Sequence, residues 1–87
     1  MAVATHDNFN TSDTSLATYL LVEGFTLLRI DYTQPRYEYI FENNSNQLQE
    51  HASKYITGKA LVDPATFTRV NRKLLRVINK QIQWGDE

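Results

Sequence analysis

The chain lacks cysteine, and its 87 residues include only three glycines and two prolines. Without cysteine there is no disulfide framework, no thiolate metal ligand and no thiol nucleophile, so packing alone must hold the fold. The glycines, Gly24, Gly58 and Gly85, lie far apart at positions typical of helix ends or turns, which argues against a glycine-rich phosphate loop. These absences suit a small domain in a reducing compartment.

Long apolar runs are also missing, so no segment is predicted to cross a bilayer. The first seven residues lack the charged and apolar regions of a secretory signal. We therefore expect a soluble, cytoplasmic protein with no membrane partner. A chain of this length buries only about 60–65% of the surface that its unfolded form exposes, so self-association or a partner would add stability.

Acidic residues are absent from one long segment, residues 64–85, which carries five basic residues. Residues 1–63 hold eight acids and four bases, and the last two residues are both acidic. The net charge of −1 therefore conceals a charge dipole. Long-range attraction of the whole chain to nucleic acid should be weak, whereas a local cationic face can bind phosphates or an acidic protein surface.

Hydrophobic periodicity predicts an α+β domain with the element order α-β-β-α-α. N-cap candidates at 10–13 precede a first helix that ends near Gly24. Residues 25–32 and 37–41 alternate between apolar and polar, as strands of an antiparallel hairpin do. The alternation predicts one apolar face with Tyr32 opposite Tyr37, Ile30 opposite Tyr39 and Leu28 opposite Phe41.

Two more helices follow the predicted hairpin. Leu48, Ala52, Tyr55 and Ile56 have the spacing of a second amphipathic helix. Asp63-Pro64 marks the start of a third, which we expect to run to about residue 83, because aspartate is a good N-cap and proline is tolerated at the first helical position. The predicted domain organisation is a flexible arm at 1–8, one domain at 9–84 and a tail at 85–87.

The third helix is predicted to be apolar on one side and cationic on the other. At roughly 100° per residue, its basic residues at 69, 73, 76 and 80 fall within about 60° of one another, opposite an apolar stripe. An ordinary solvent-exposed face would interleave glutamate with lysine at four-residue spacing. Trp84 follows the stripe, as either a docking residue or a cover of the core. The candidate contact residues are Arg69, Arg72, Lys73, Arg76, Lys80 and Trp84.

Nothing in the sequence has the pattern of an active site, so we expect a protein that is not an enzyme and has no cofactor. His6 and His51 lack metal-ligand spacing. Asp31 and Glu38 could face each other across the hairpin, but an exposed carboxylate pair lacks the burial that tunes a pKa for acid–base catalysis. The tyrosines of the hairpin could stack on unpaired bases, but the predicted core needs them.

A family resemblance rests on the order of several fold signals. These signals are Phe9-Asn10-Thr11-Ser12-Asp13, Gly24-Phe25, Tyr39-Ile40-Phe41-Glu42, Tyr55 before Gly58, and Val62-Asp63-Pro64. In this order they resemble a small bacterial and phage domain family of uncharacterised function, over about residues 9–82. The resemblance implies an accessory protein of phages or mobile elements, and it transfers no functional residue.

The leading functional hypothesis is a non-enzymatic accessory module whose third helix contacts nucleic-acid backbone, RNA or DNA, within a larger nucleoprotein complex. The alternative is a protein-interaction module, an adaptor or inhibitor. It would dock through the same basic helix or through an open edge of the hairpin, which would also allow a homodimer. Nuclease treatment of a purified complex separates the two hypotheses.

Overall fold

The computed structural model describes residues 8–43 and 46–87, which form three helices and a three-stranded antiparallel sheet. The elements are β1 (Phe9–Thr11), α1 (Thr14–Val22), β2 (Leu27–Asp31), β3 (Glu38–Phe41), α2 (Gln47–Ile56) and α3 (Pro64–Lys80). The α+β class is confirmed, but the predicted order was incomplete, because a strand precedes the first helix. Apart from Asn8, the predicted arm lies outside the described residues.

The unpredicted strand, β1, pairs with β3, so that the strand order is β1-β3-β2. Phe9 lies opposite Phe41, and Thr11 lies opposite Tyr39. With one apolar residue in three positions, β1 has no alternation from which a strand can be predicted. The outer edge of β3, which the hairpin prediction left open, is therefore occupied within the molecule.

The register of the hairpin is as predicted near its turn. Ile30 lies opposite Tyr39, and Asp31 lies opposite Glu38. Beyond the strand ends, the rings of Tyr32 and Tyr37 meet edge to face with their centroids 5.2 Å apart. The apolar face at this end of the sheet is the one that the alternation predicted.

At the other end of the hairpin the predicted register was wrong. An irregularity between Leu27 and Arg29 brings Leu27, rather than Leu28, opposite Phe41. A β-bulge adds one residue to one strand, so the residues on the side of it away from the turn face opposite to the alternating pattern. Leu27 is accordingly buried, whereas Leu28 is 48% exposed. Ile40, expected on a mostly solvated face, is also buried.

Helix α1 lies at the centre of the molecule. Its N-cap residue, Asp13, accepts hydrogen bonds from the backbone N–H groups of Ser15 and Leu16. All side chains from Leu16 to Leu20 are buried, because α1 contacts β1, α2 and α3. Helix α2 adds Leu48 and Ala52 to this core.

Helix α3 covers the core with one face. It begins after the N-cap Asp63, which accepts a hydrogen bond of 2.9 Å from the N–H of Thr66. Leu74 and Val77 are fully buried. The helix ends three residues before the predicted position, because Gln81 adopts a left-handed conformation with φ of 55°.

After α3, the C-terminal segment (residues 81–87) returns to the outer edge of β2. The N–H of Ile30 donates to Oε1 of Gln83 over 2.7 Å, and Nε2 of Gln83 donates to the carbonyl of Ile30 over 3.0 Å. The hydroxyl of Tyr32 donates to the carbonyl of Ile82 over 2.6 Å. The amide of Gln83 thus satisfies the backbone of Ile30 as a neighbouring strand would.

Candidate nucleic-acid interface

The solvent-facing side of α3 carries a cluster of cationic side chains, opposite the buried Leu74 and Val77. We call this cluster the arginine face. Its members, all exposed, are Arg69, Arg72, Arg76 and Lys80. With a rise of 1.5 Å per residue, Arg69 and Arg76 are about 10 Å apart along the helix axis. Arg72 lies at the margin of the predicted cationic group but near the middle of the side of α3 that faces solvent.

Lys73 differs from these four cations because it binds the C-terminal segment. Its Nζ lies 3.1 Å from a carboxylate oxygen of Glu87 and 4.6 Å from the centroid of the Trp84 ring. The pKa of Glu87 is lowered by hydrogen bonds from the backbone N–H of Glu87 itself and from the Lys73 ammonium. Trp84 is half-buried against the core. Lys73 and Trp84, both predicted contact residues, therefore contact each other, and Lys73 also binds Glu87.

Across residues 8–43 and 46–87, Lys73 forms an ion pair with Glu87, and the ring of His51 lies near the carboxylate of Glu23. In that part of the chain, the arginine face accordingly has no carboxylate in ion-pair contact. The nearest acid at the start of α3 is Asp63, whose pKa is lowered mainly by hydrogen bonds from Thr66, with a smaller effect of the positive charge on Arg69. Within these ranges, the cationic groups of the face are exposed to solvent and are not neutralised by a carboxylate.

Two shallow grooves flank the arginine face and share Arg76. The first, of about 600 Å³, is lined by Pro64, Ala65, Thr68, Arg69, Arg72 and Arg76. The second, of about 540 Å³, is lined by Tyr37, Leu75, Arg76, Ile78, Asn79 and Gln81. Each groove combines apolar walls with groups that donate hydrogen bonds, so both can accept an anionic ligand that also carries apolar surface.

The predicted carboxylate pair does not have the properties of an acid–base site. Asp31 and Glu38 are opposed as expected. The hydroxyl and the N–H of Thr33 donate to Asp31 and lower its pKa. A general acid at neutral pH needs the opposite shift, so this geometry stabilises the ionised carboxylate.

The histidine of α2 takes part in a contact between helices. Nδ1 of His51 lies 3.2 Å from the hydroxyl of Tyr19 and 3.6 Å from a carboxylate oxygen of Glu23. The ring of Phe25 meets His51 edge to face. Within the described ranges, no group of three or more histidine and acidic side chains is arranged to hold a metal ion. His6 lies outside these ranges.

Two of the hairpin tyrosines have different surroundings. Tyr39 is 1% exposed, and burial raises the pKa of its hydroxyl, which lies 2.8 Å from Oγ1 of Thr14. Tyr37 is half-buried and lines the groove beside Arg76. Both rings pack in or against the core, as predicted, but the place of Tyr37 in the groove was not predicted. Asn79 was not predicted either, although it lies three residues beyond Arg76 on the same side of α3.

Comparison with known proteins places the chain in a family. A family model described as "Domain of unknown function (DUF5659)" matches residues 6–82. The chain belongs to the DUF5659 family. The resemblance to an uncharacterised small domain family is thus confirmed over nearly the same residues. No curated protein and no solved structure matches this DUF5659 domain. Among its described helices, none has the length and apolar character needed to span a membrane.

Proposed function

We propose that this DUF5659 domain is a non-enzymatic accessory module that contacts nucleic-acid backbone through the arginine face of α3. The observation that carries the proposal is the exposure of these cations without an ion pair in the described parts of the chain. Arginine forms bidentate hydrogen bonds with phosphate oxygens, and it suits backbone contacts better than lysine does.

The size of the arginine face suggests a subordinate role in binding. Its four cations could neutralise about four phosphates, and binding of this kind weakens steeply as salt rises. Because the contacts are to phosphate, they position the protein without selecting a sequence. We therefore place the module within a larger nucleoprotein complex, in the phage or mobile-element context that the family resemblance implied.

Charge reversal of the arginine face tests this proposal. We expect R69E/R72E/R76E to abolish the binding of a labelled oligonucleotide at low salt. If residual binding is measurable, its salt slope should fall by about two to three, because roughly three phosphate contacts are lost. Fluorescence anisotropy over a series of salt concentrations provides both quantities.

The matched control is R36E/K54E/K59E, which changes the net charge by the same amount at other exposed positions. Circular dichroism and thermal unfolding establish that both triple variants are folded. If the two variants bind the oligonucleotide equally well, the arginine face is not the contact surface and the proposal fails.

A second candidate is a protein-interaction module of the adaptor or inhibitor type. It is favoured by two large apolar side chains near the end of α2, Ile56 and Leu61, which are 72% and 90% exposed. Exposed side chains of this kind mark a protein-binding surface where they form one contiguous apolar patch. A protein partner that survives nuclease treatment but is lost in the I56S/L61S variant would support this function over nucleic-acid binding.

The hairpin edge offers less room for a partner strand than the sequence indicated. Pairing with β1 occupies the outer edge of β3, and Gln83 occupies the backbone of Ile30 on β2. A partner or a second copy would have to add to β1 or displace Gln83. A homodimer through the sheet edge thus stays a prediction, now directed to these two positions.

A further inference from the structure

We propose that the ligand of the arginine face is single-stranded nucleic acid, with one unpaired base seated against Tyr37 in the groove beside Arg76. The inference rests on the proposed function and adds the class of ligand. It follows from the position of Arg76, which lines both grooves. Arg76 thus lies between the other arginines and Tyr37, the only aromatic residue that lines either groove.

The path along α3 has a direction. Arg69 and Arg72 line the first groove with Arg76, and Tyr37 lies on the far side of Arg76 in the second groove. A strand whose phosphates follow the three arginines therefore meets an aromatic side chain in the groove beside Arg76. Proteins that bind single strands combine these two features, a positively charged groove and an aromatic side chain on which a base stacks.

Tyr37 is held in place before any ligand arrives. Its ring packs edge to face against Tyr32, and the hydroxyl of Tyr32 is fixed by the carbonyls of Val77 and Ile82. An ordered ring loses little side-chain entropy when a base stacks on it. The sheet and the end of α3 together keep this ring beside the groove.

The other walls of the second groove suit a base better than they suit a phosphate. Leu75, 48% exposed, provides an apolar side. The carboxamide of Asn79 offers both a donor and an acceptor for the edge of a base. A base inside a duplex is stacked and paired, so its face cannot reach Tyr37, whereas an unpaired base can.

The test compares single and double strands with the full chain. Labelled oligonucleotides of about 12 nucleotides, oligo-dT and oligo-U, are titrated beside a duplex of equal length at low salt. We expect the single strands to bind roughly 5- to 150-fold more tightly than the duplex, because only they can stack a base on Tyr37. Phosphate and ring contacts are common to DNA and RNA, so both oligonucleotides should bind. The ratio of their affinities shows whether one of them is preferred.

The decisive variant is Tyr37→Leu, with Tyr55→Leu as the matched control on α2. Loss of one stacked base should weaken single-strand binding by roughly 5- to 150-fold and leave duplex binding unchanged. If Tyr37→Leu does not fold, NMR titration of the unchanged protein with oligo-dT replaces it, and the ring signals of Tyr37 and the methyl signals of Leu75 should then shift.

The outcomes distinguish this inference from the proposed function. Equal binding of single strands and duplex would overturn the inference, and so would the absence of any effect of Tyr37→Leu or, if that variant does not fold, of any shift at Tyr37. Each of these results would leave backbone binding by the arginine face intact. Failure of the unchanged protein to bind any oligonucleotide at low salt would overturn the proposed function as well.

Discussion

Helices α1 and α3 lie against each other, yet they have opposite characters. All five residues from Leu16 to Leu20 of α1 are buried, and the nine residues of α1 include no charged side chain. The 17 residues of α3 include five cations, and only Leu74 and Val77 are fully buried. Helix α1 is surrounded by other elements, whereas α3 uses one face to close the core and leaves the other in solvent.

The difference shows where this small domain has freedom to vary. Almost every side chain of α1 is constrained by packing, so changes there should act on stability. The outer side of α3 is largely free of that constraint, and a row of cations there can serve a ligand without weakening the core. Substitutions ordered along this contrast should separate stability from binding.

Leu20→Ala should have the largest effect on stability. Leu20 is 0% exposed in the middle of α1, and truncation of a fully buried leucine costs about 2–5 kcal/mol. The control is Leu75→Ala on the outer side of α3, for which we expect less than about 1 kcal/mol. Urea denaturation measures both. Similar losses for the two variants would contradict the contrast between the helices.

Thr18→Val tests the polar contact between the two helices. Oγ1 of Thr18 is buried, 2.9 Å from both the carbonyl of Thr14 and Oδ1 of Asn71. The methyl group of valine cannot hydrogen-bond to Asn71, and loss of a part-buried hydrogen bond of this kind costs about 0.5–1.5 kcal/mol. Urea denaturation of Thr18→Val, Asn71→Leu and the double variant gives the coupling, and additive losses would mean that the contact is not stabilising.

Asp63→Ala should destabilise the start of α3 by a smaller amount than Thr18→Val. Because the pKa of Asp63 is lowered in the folded state, its contribution is present above the ordinary value of 3.8 and is lost as pH falls through the folded pKa. The unfolding midpoints of the unchanged protein and of Asp63→Ala should differ at neutral pH and converge at acidic pH. A constant difference down to acidic pH would show that the carboxylate is not the stabilising group.

Arg72→Ala should have the smallest effect on stability, within about 0.5 kcal/mol, because Arg72 is exposed near the middle of the solvent-facing side of α3. Its effect should instead appear in oligonucleotide binding and its salt dependence. Urea denaturation and anisotropy on the same preparation show whether the two properties separate. A marked loss of stability would mean that α3 needs Arg72 for packing.

Features set by neighbouring residues could be predicted from the sequence, whereas features that depend on distant parts of the chain could not. Asp63 and Pro64 define the start of α3 by their own chemistry, and the alternation near Ile30 and Tyr39 fixes the register there. The bulge buries Leu27 and exposes Leu28, and the alternating pattern has no sign of this exchange. Strand β1 forms only because β3 offers it an edge, which is information that three residues do not contain.

The candidate site was predictable to a similar degree. Helical periodicity places Arg69 and Arg76 on the outer side of α3 without any tertiary information. Lys73 has the same periodicity, but the return of the chain brings Glu87 and Trp84 to it. Contacts of that kind depend on where a segment goes after its helix ends, and here that direction follows from the left-handed Gln81.

The contact between Gln83 and Ile30 also bears on how the protein behaves at high concentration. Exposed strand edges are where sheets of separate molecules join and grow into aggregates. At Ile30 of β2 this growth requires that the C-terminal segment first detach, which is a local opening and does not require the core to unfold. Resistance to fibre formation at this edge should therefore depend on how often the hydrogen bonds between the Gln83 amide and Ile30 break. A variant without that amide could polymerise even if its core were very stable.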